Sequence, residues 1–334
     1  MDYGNVFIIC AAAAGFYAVY LWADKSSWLR KWLSDSGKPW TEVGKVSQLF
    51  IYPVKSCRGV QLEQAQCGKL GLESGRMKDR HFLVVREADK TFITARERPK
   101  MVLVEPKVDE NDMLTLRAPG LQPCTVNLNQ VVQQKALRSA TLNTQNRVDG
   151  YDCGETVAEW LQNAIQSEQP CRLLYFAPGL KTDRRLNNDP YVKRGDSVVF
   201  ADLAPYMLAT ESSLDDLIQW VGGGVPVSIR NFRPNIVISG NKEYDEDNWD
   251  QVKIGEQTFF TNVKPCTRCI LTTVDPDSGT KNNGMQPLTA LKRYRLAPQH
   301  ERHIYGNHPF FGINLAIDSG GQISVGDTVS VRYK

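Results

Sequence analysis

From residue 46 onward the chain is cut into short β-forming runs: VSQLFIYPV, GVQLEQA, HFLVV, MVLVEPKV, MLTLRA and TVNL, each bounded by glycine, proline, asparagine or aspartate. Short strands with close turns point to a barrel or a sandwich. The Asn-Asp-Met stretch after Val108 and Asp109 suits a tight hairpin, because Asn and Asp tolerate the left-handed backbone that such turns need. Two helices interrupt the pattern. Val157, Trp160, Leu161, Ala164 and Ile165 recur at helical spacing, and Leu214, Leu217, Ile218 and Val221 do so again behind a Ser212 or Ser213 cap, ahead of three glycines. A strand is also expected over Ile270–Val274, where β-branched residues dominate. The chain ends in INLAI and ISVGDTVSVRY, two alternating runs that would close a second sheet. The fold class is therefore mixed α/β and β-rich.

The polar, turn-rich stretch 181–197 divides this region into an N-terminal β-rich subdomain over 46–185 and a C-terminal one over 186–334. With 334 residues the chain can bury a substantial core without disulfides, so its eight cysteines need individual explanations. Lys+Arg 40 against Asp+Glu 37 leaves a net charge of +3 and no basic block, which excludes a nucleic-acid binder that works by phosphate neutralisation.

Ahead of the β-rich region, residues 3–23 carry no charged side chain. As a helix, such a stretch covers about 30 Å, the thickness of a bilayer core. A cleaved signal peptide would need a basic leading segment, whereas only Asp2 precedes this run. The expectation is one transmembrane anchor over 1–24 and a juxtamembrane linker over 25–45. Lys25, Arg30 and Lys31 follow the aromatic pair Tyr20 and Trp22, so the bulk of the chain should face the cytosol with its thiols reduced.

The strongest chemical signal is Lys264-Pro265-Cys266-Thr267-Arg268-Cys269. A Cys-x-x-Cys pair is half a zinc site, a redox dithiol, or one metal-binding thiolate beside a bystander. Zinc would recruit His300 and His303, while a dithiol would open a helix instead of preceding a β-branched run. The third reading suits Lys264 and Arg268, cations that would stabilise a neighbouring thiolate. Two buried structural cysteines remain the plain alternative. Lys55 and Ser56, Arg80 and Arg233 each stand at the edge of a β run, where loops build sites. Singly they are solvated charges, but together they suit a phosphate-bearing ligand. Asp202 follows an apolar run and either reaches a pocket or caps a turn.

IYPVKSC (51–57), KDR (78–80), NFRPNIVISG (231–240), YDEDNWD (244–250) and CTRCILTTVDPDSG (266–279) occur in an order that resembles the MOSC-domain proteins, most closely the animal mitochondrial amidoxime reducing components. The resemblance covers about residues 46–334. It implies a molybdenum cofactor (Mo-molybdopterin) held between a MOSC N-terminal subdomain and a MOSC β-barrel. Cys269 would be the metal ligand and Cys266 its neighbour. Lys55, Ser56, Arg80 and Arg233 would contact pterin and phosphate, Thr267 and Arg268 would add contacts near the metal, and Asn235 would support the Arg233 loop. Leu203 and Ala204 stand where relatives can carry hydroxyls, which leaves only their backbone groups, and Asn314 stands where some members have tyrosine.

The implied activity is reduction of small N-hydroxylated compounds such as amidoximes, N-hydroxyguanidines and hydroxylamines, with electrons from NADH through cytochrome b5 reductase and cytochrome b5. The implied location is the mitochondrial outer membrane, single-pass, with the catalytic part in the cytosol. A proton donor is required, and Asp202 is the candidate. A cofactor carrier without turnover is the alternative. Residues 25–334 carry +5, a mild excess for steering an acidic donor.

Overall fold

A computed structural model describes residues 38–142, 147–186, 189–190 and 192–334. The expected anchor over 1–24 and most of the linker lie outside the described residues. Among those described, no helix is long and apolar enough to cross a membrane.

Seven strands close into a barrel: Thr41–Ile51, Tyr206–Thr210, Ile236–Ser239, Trp249–Ile254, Thr258–Thr267, Phe310–Ser319 and Thr328–Tyr333. Thr41–Ile51 completes the ring by pairing antiparallel with both Ile236–Ser239 and Thr328–Tyr333. The barrel thus takes one strand from before residue 52 and six from after residue 205. Tyr206–Thr210 and Ile236–Ser239 pair in parallel, which requires a crossover, and helix Glu211–Val221 lies within it. Gly312 bends Phe310–Ser319 at φ 74°, and a Cβ there would stand 2.3 Å from the Leu208 carbonyl oxygen.

The segment between the first two barrel strands builds most of three smaller sheets. One joins Leu137–Thr141, Arg147–Asp152, Cys171–Tyr175 and Phe82–Arg86, and helix Glu155–Ala164 buries Val157 and Leu161 in the same core as Cys171 and Leu173. The hairpin expected after Val108 pairs it with Leu114, and Asp109 accepts hydrogen bonds from the Asn111 and Met113 amides while Asp112 adopts φ 57°. Three local expectations are corrected. MVLVEPKV is strand only over Glu105–Val108, with Pro99–Leu103 a 3-10 turn. Ile270–Thr273 is likewise a 3-10 turn, because the Thr272 and Thr273 hydroxyls bond back to the Cys269 and Ile270 carbonyls and draw the chain out of the sheet. The second helix is capped by Thr210, whose side chain accepts from the Ser213 amide, not by Ser212 or Ser213.

Ser213 instead donates to Glu246, a fully buried carboxyl that also faces the Thr210 hydroxyl at 3.3 Å. Burial raises Glu246 to about 7 from an ordinary 4.5. An acid raised in the folded state stabilises the fold most below its unfolded pKa, and that contribution is lost as pH climbs through about 7. Glu246→Gln is therefore expected to exceed the wild type in stability at pH 8, by up to about 3 kcal/mol, and to lose less between pH 5 and pH 8. Urea unfolding at both pH values checks this, and equal losses in the two proteins would refute it.

Candidate active site

The barrel strands deliver their ends to one rim. Ile51 runs out toward Lys55 and Ser56, the loop 199–204 leads into Tyr206, Asn231–Asn235 leads into Ile236, and Thr258–Thr267 runs out toward Cys269. Together these segments line a cavity of about 360 Å³. Of the residues singled out from sequence, Lys55, Ser56, Arg80, Asp202, Leu203, Ala204, Arg233, Asn235, Lys264, Cys266, Thr267, Arg268, Cys269 and Asn314 line it, whereas His300 and His303 do not. Ser56, Arg80 and Arg233 have φ of 70°, 49° and 58°, a left-handed backbone that is unfavourable for side-chain-bearing residues and is held here by long-range contacts.

The cations are not the solvated charges that each would be alone. Lys55 is buried, and its ammonium donates to the Phe200 carbonyl at 2.7 Å and to Asp202 Oδ1 at 2.5 Å. Burial pulls its pKa down and Asp202 opposes that. Asp202 stands in the cavity mouth, its side chain 83% exposed. Desolvation by neighbouring groups pushes its carboxyl up, but the attraction and hydrogen bond of Lys55 prevail and hold it below the usual carboxylate range. The ionised form, paired with Lys55, is therefore the favoured one.

Arg80 Nη1 donates to Asp79 at 2.5 Å and to Asn235 Oδ1 at 3.1 Å, and its Nη2 donates to the Arg233 carbonyl. Asn235 turns its amide to Asp79 Oδ1 at 3.0 Å and to the Phe50 carbonyl. It therefore fixes Arg80 and Asp79 directly and reaches the Arg233 loop through Arg80. Arg233 makes no ion pair and no side-chain hydrogen bond among the described residues, and its Nη2 is buried without a partner.

The Cys-x-x-Cys segment divides its roles by geometry. Side chains two apart in extended chain share a face. Arg268 Nη1 accordingly lies on Cys266 Sγ at 2.8 Å and Nη2 on the Phe232 carbonyl, while Lys264 Nζ contacts Asp189 Oδ2 at 2.6 Å. These cations thus reach Asp189 and Cys266, and Cys269 leaves the strand to open the 3-10 turn. It is half-buried and faces the cavity rim. No group of three or more His, Cys, Asp or Glu among the described residues is arranged to hold a metal, so Cys266, Cys269, His300 and His303 do not form a zinc site.

Sequence reasoning missed several supports. Arg184 lies within the polar stretch taken as a connection, yet it is buried and donates to the Val199, Ala201 and Asp202 carbonyls, which shapes the loop bearing Leu203 and Ala204. Arg96 and Thr94 line the cavity with no local pattern to mark them. Asn231 donates to the Thr272 and Val274 carbonyls and ties the Arg233 loop to the turn after Cys269.

Comparison with known proteins agrees with this architecture. Residues 43–168 match the MOSC N-terminal beta barrel domain and residues 195–330 the MOSC domain. The chain is 37% identical to human mitochondrial amidoxime-reducing component 1, over 95% of this chain and 91% of that protein. This protein belongs to the MOSC amidoxime-reducing component family. The Xenopus laevis component 1 is 38% identical over 96% of this chain and 90% of its own, and human component 2 is 37% identical over 95% and 91%. The family member described here thus spans both MOSC domains, and its cavity draws residues from each of the two matched regions.

Proposed function

We propose that this protein is a molybdenum-cofactor-dependent reductase of N-hydroxylated compounds, with electrons drawn from NADH through cytochrome b5 reductase and cytochrome b5. The observation that carries the reading is the cavity at the barrel rim, where the Cys269 thiol sits among Lys55, Arg80, Arg96, Arg233, Lys264 and Arg268, against the acids Asp189 and Asp202. The residues fit an anionic pterin cofactor. Arg233 is a largely buried cation that makes no ion pair among the described residues, and both Arg233 Nη2 and Arg268 Nε are buried without partners. A thiol suits a soft metal.

Lys55, Arg80 and Arg233 would hold the phosphate, Ser56, Asn314 and the backbone of Leu203 and Ala204 would orient the ring system, and Cys269 would ligate the metal. When bound, the group supplies the two-electron couple by which N–OH becomes N–H, with two protons taken up and water released. Asn235 and Asp79 keep Arg80 oriented, Asp202 keeps Lys55 charged and pointed at the rim, and Arg184 keeps the loop 199–204 folded over it. The relatives' names support a mitochondrial location. The apolar run 3–23 supports a single-pass outer-membrane anchor with this site in the cytosol.

The test is metal analysis of the full chain, purified in detergent from a host that makes molybdenum cofactor, followed by NADH-dependent amidoxime reduction with both partner proteins. About one molybdenum per chain with turnover is expected. Bound pterin without turnover would make the protein a carrier, and zinc without molybdenum would overturn the reading.

A further inference from the structure

We propose that Tyr52 is the positioning residue of this site, its ring holding the guanidinium groups of Arg80 and Arg233 so that they meet a phosphate-bearing ligand as a preset pair. The inference rests on the cavity being the cofactor site. Tyr52 does not line the cavity, and although it lies within IYPVKSC the resemblance assigns it no role, but it stands directly behind two side chains that do. Its ring centroid is 4.5 Å from the Arg80 guanidinium carbon and 4.3 Å from that of Arg233, and the residue is only 2% exposed.

Two guanidinium groups this close repel each other, and Asp79 forms an ion pair with Arg80 while acting on Arg233 only at longer range. For Arg233, which makes no ion pair among the described residues, the negative face of the Tyr52 ring is the contact that compensates it before any ligand binds. The ring is itself fixed on several sides. The Tyr52 amide donates to Asp79 Oδ1 at 2.8 Å, and the Tyr52 carbonyl accepts the Arg80 amide at 2.7 Å. Gly59 passes so near that a Cβ there would lie 2.4 Å from the ring. Arg80 and Arg233 both hold left-handed backbones, so a stacked ring on their side chains helps keep the two cations in register.

The Tyr52 hydroxyl is buried with no hydrogen-bond partner, which makes the ring and not the hydroxyl the working part. This separates positioning from packing. Tyr52→Phe keeps the ring, Tyr52→Leu removes it, and Tyr52→pentafluorophenylalanine keeps its shape while reversing the charge of its face. The experiment takes full-length holoprotein and follows molybdenum release during dialysis against inorganic phosphate.

Tyr52→Phe is expected to release metal within about twofold of the wild-type rate, and Tyr52→Leu and the pentafluoro variant at least about tenfold faster. Wild-type release from the pentafluoro variant, or equal losses from Tyr52→Phe and Tyr52→Leu, would overturn the proposal. If Tyr52→Leu does not fold, the pentafluoro variant decides, since its ring fills the same space. A wild-type protein that binds no molybdenum would overturn the cofactor reading and this inference with it, an outcome distinct from a holoprotein indifferent to the ring.

Discussion

Cys269→Ser is expected to lose its molybdenum and at least about 100-fold in kcat/KM for amidoxime reduction, which is about 2.7 kcal/mol or more of transition-state stabilisation. The fold should survive. Cys269 holds the following turn through its backbone carbonyl, which accepts from the Thr272 amide at 3.1 Å and the Thr272 hydroxyl at 3.0 Å, and its thiol makes no hydrogen bond among the described residues. Cys266→Ser is the matched control. Cys266 packs partly buried against the core beside Phe232 and Phe311 and receives Arg268, so the serine variant is expected to keep its metal. Metal content and thermal unfolding, measured on both, check the pair. Metal loss in Cys266→Ser with retention in Cys269→Ser would exchange the two assignments.

Asp79→Asn is expected to destabilise the protein by about 3–5 kcal/mol, the range for removing one partner of a buried ion pair. Asp79 is 2% exposed, and its two oxygens accept from the Tyr52 amide, the Asn235 side chain and Arg80. An amide in its place sets a donor against donors and leaves the Arg80 charge, 14% exposed, without a carboxylate. Urea unfolding with an unchanged slope would report the loss as stability alone. A change below about 1 kcal/mol, as at an exposed pair, would show that water reaches the site and that the network does not frame it.

Local features of the chain were legible in its order. The helical spacing of Val157 and Leu161 appears as Glu155–Ala164, the hairpin after Val108 turns at Asp109 and Asp112, and Gly222 ends Glu211–Val221 at φ 77°. Each of these depends on a few consecutive residues whose backbone preferences agree. Lys55, Ser56, Arg80, Arg233, Asn235, Thr267, Arg268 and Cys269 stand within motifs that occur in the family's order, whereas Asp202, Leu203, Ala204 and Asn314 stand outside them. Ile270–Thr273 was misread because intrinsic β preference there yields to hydroxyl groups that bond back to the chain.

Which cation faces which partner was decided only when the ring of strands closed. Asp79 and Asn235 are 156 residues apart, Lys55 and Asp202 147, and nothing near either sequence position announces the other. Arg184 reads as part of a polar connection and is buried, while Asp202 reads as an acid and is kept ionised by a lysine that the fold puts beside it. The sequence by itself determined the β-rich class, the helices Glu155–Ala164 and Glu211–Val221, the hairpin after Val108 and the chemical identity of the site's groups. The tertiary structure decided their burial, pairing and charge state, because those depend on distances set by Thr41–Ile51 meeting Thr328–Tyr333 at the far end of the chain.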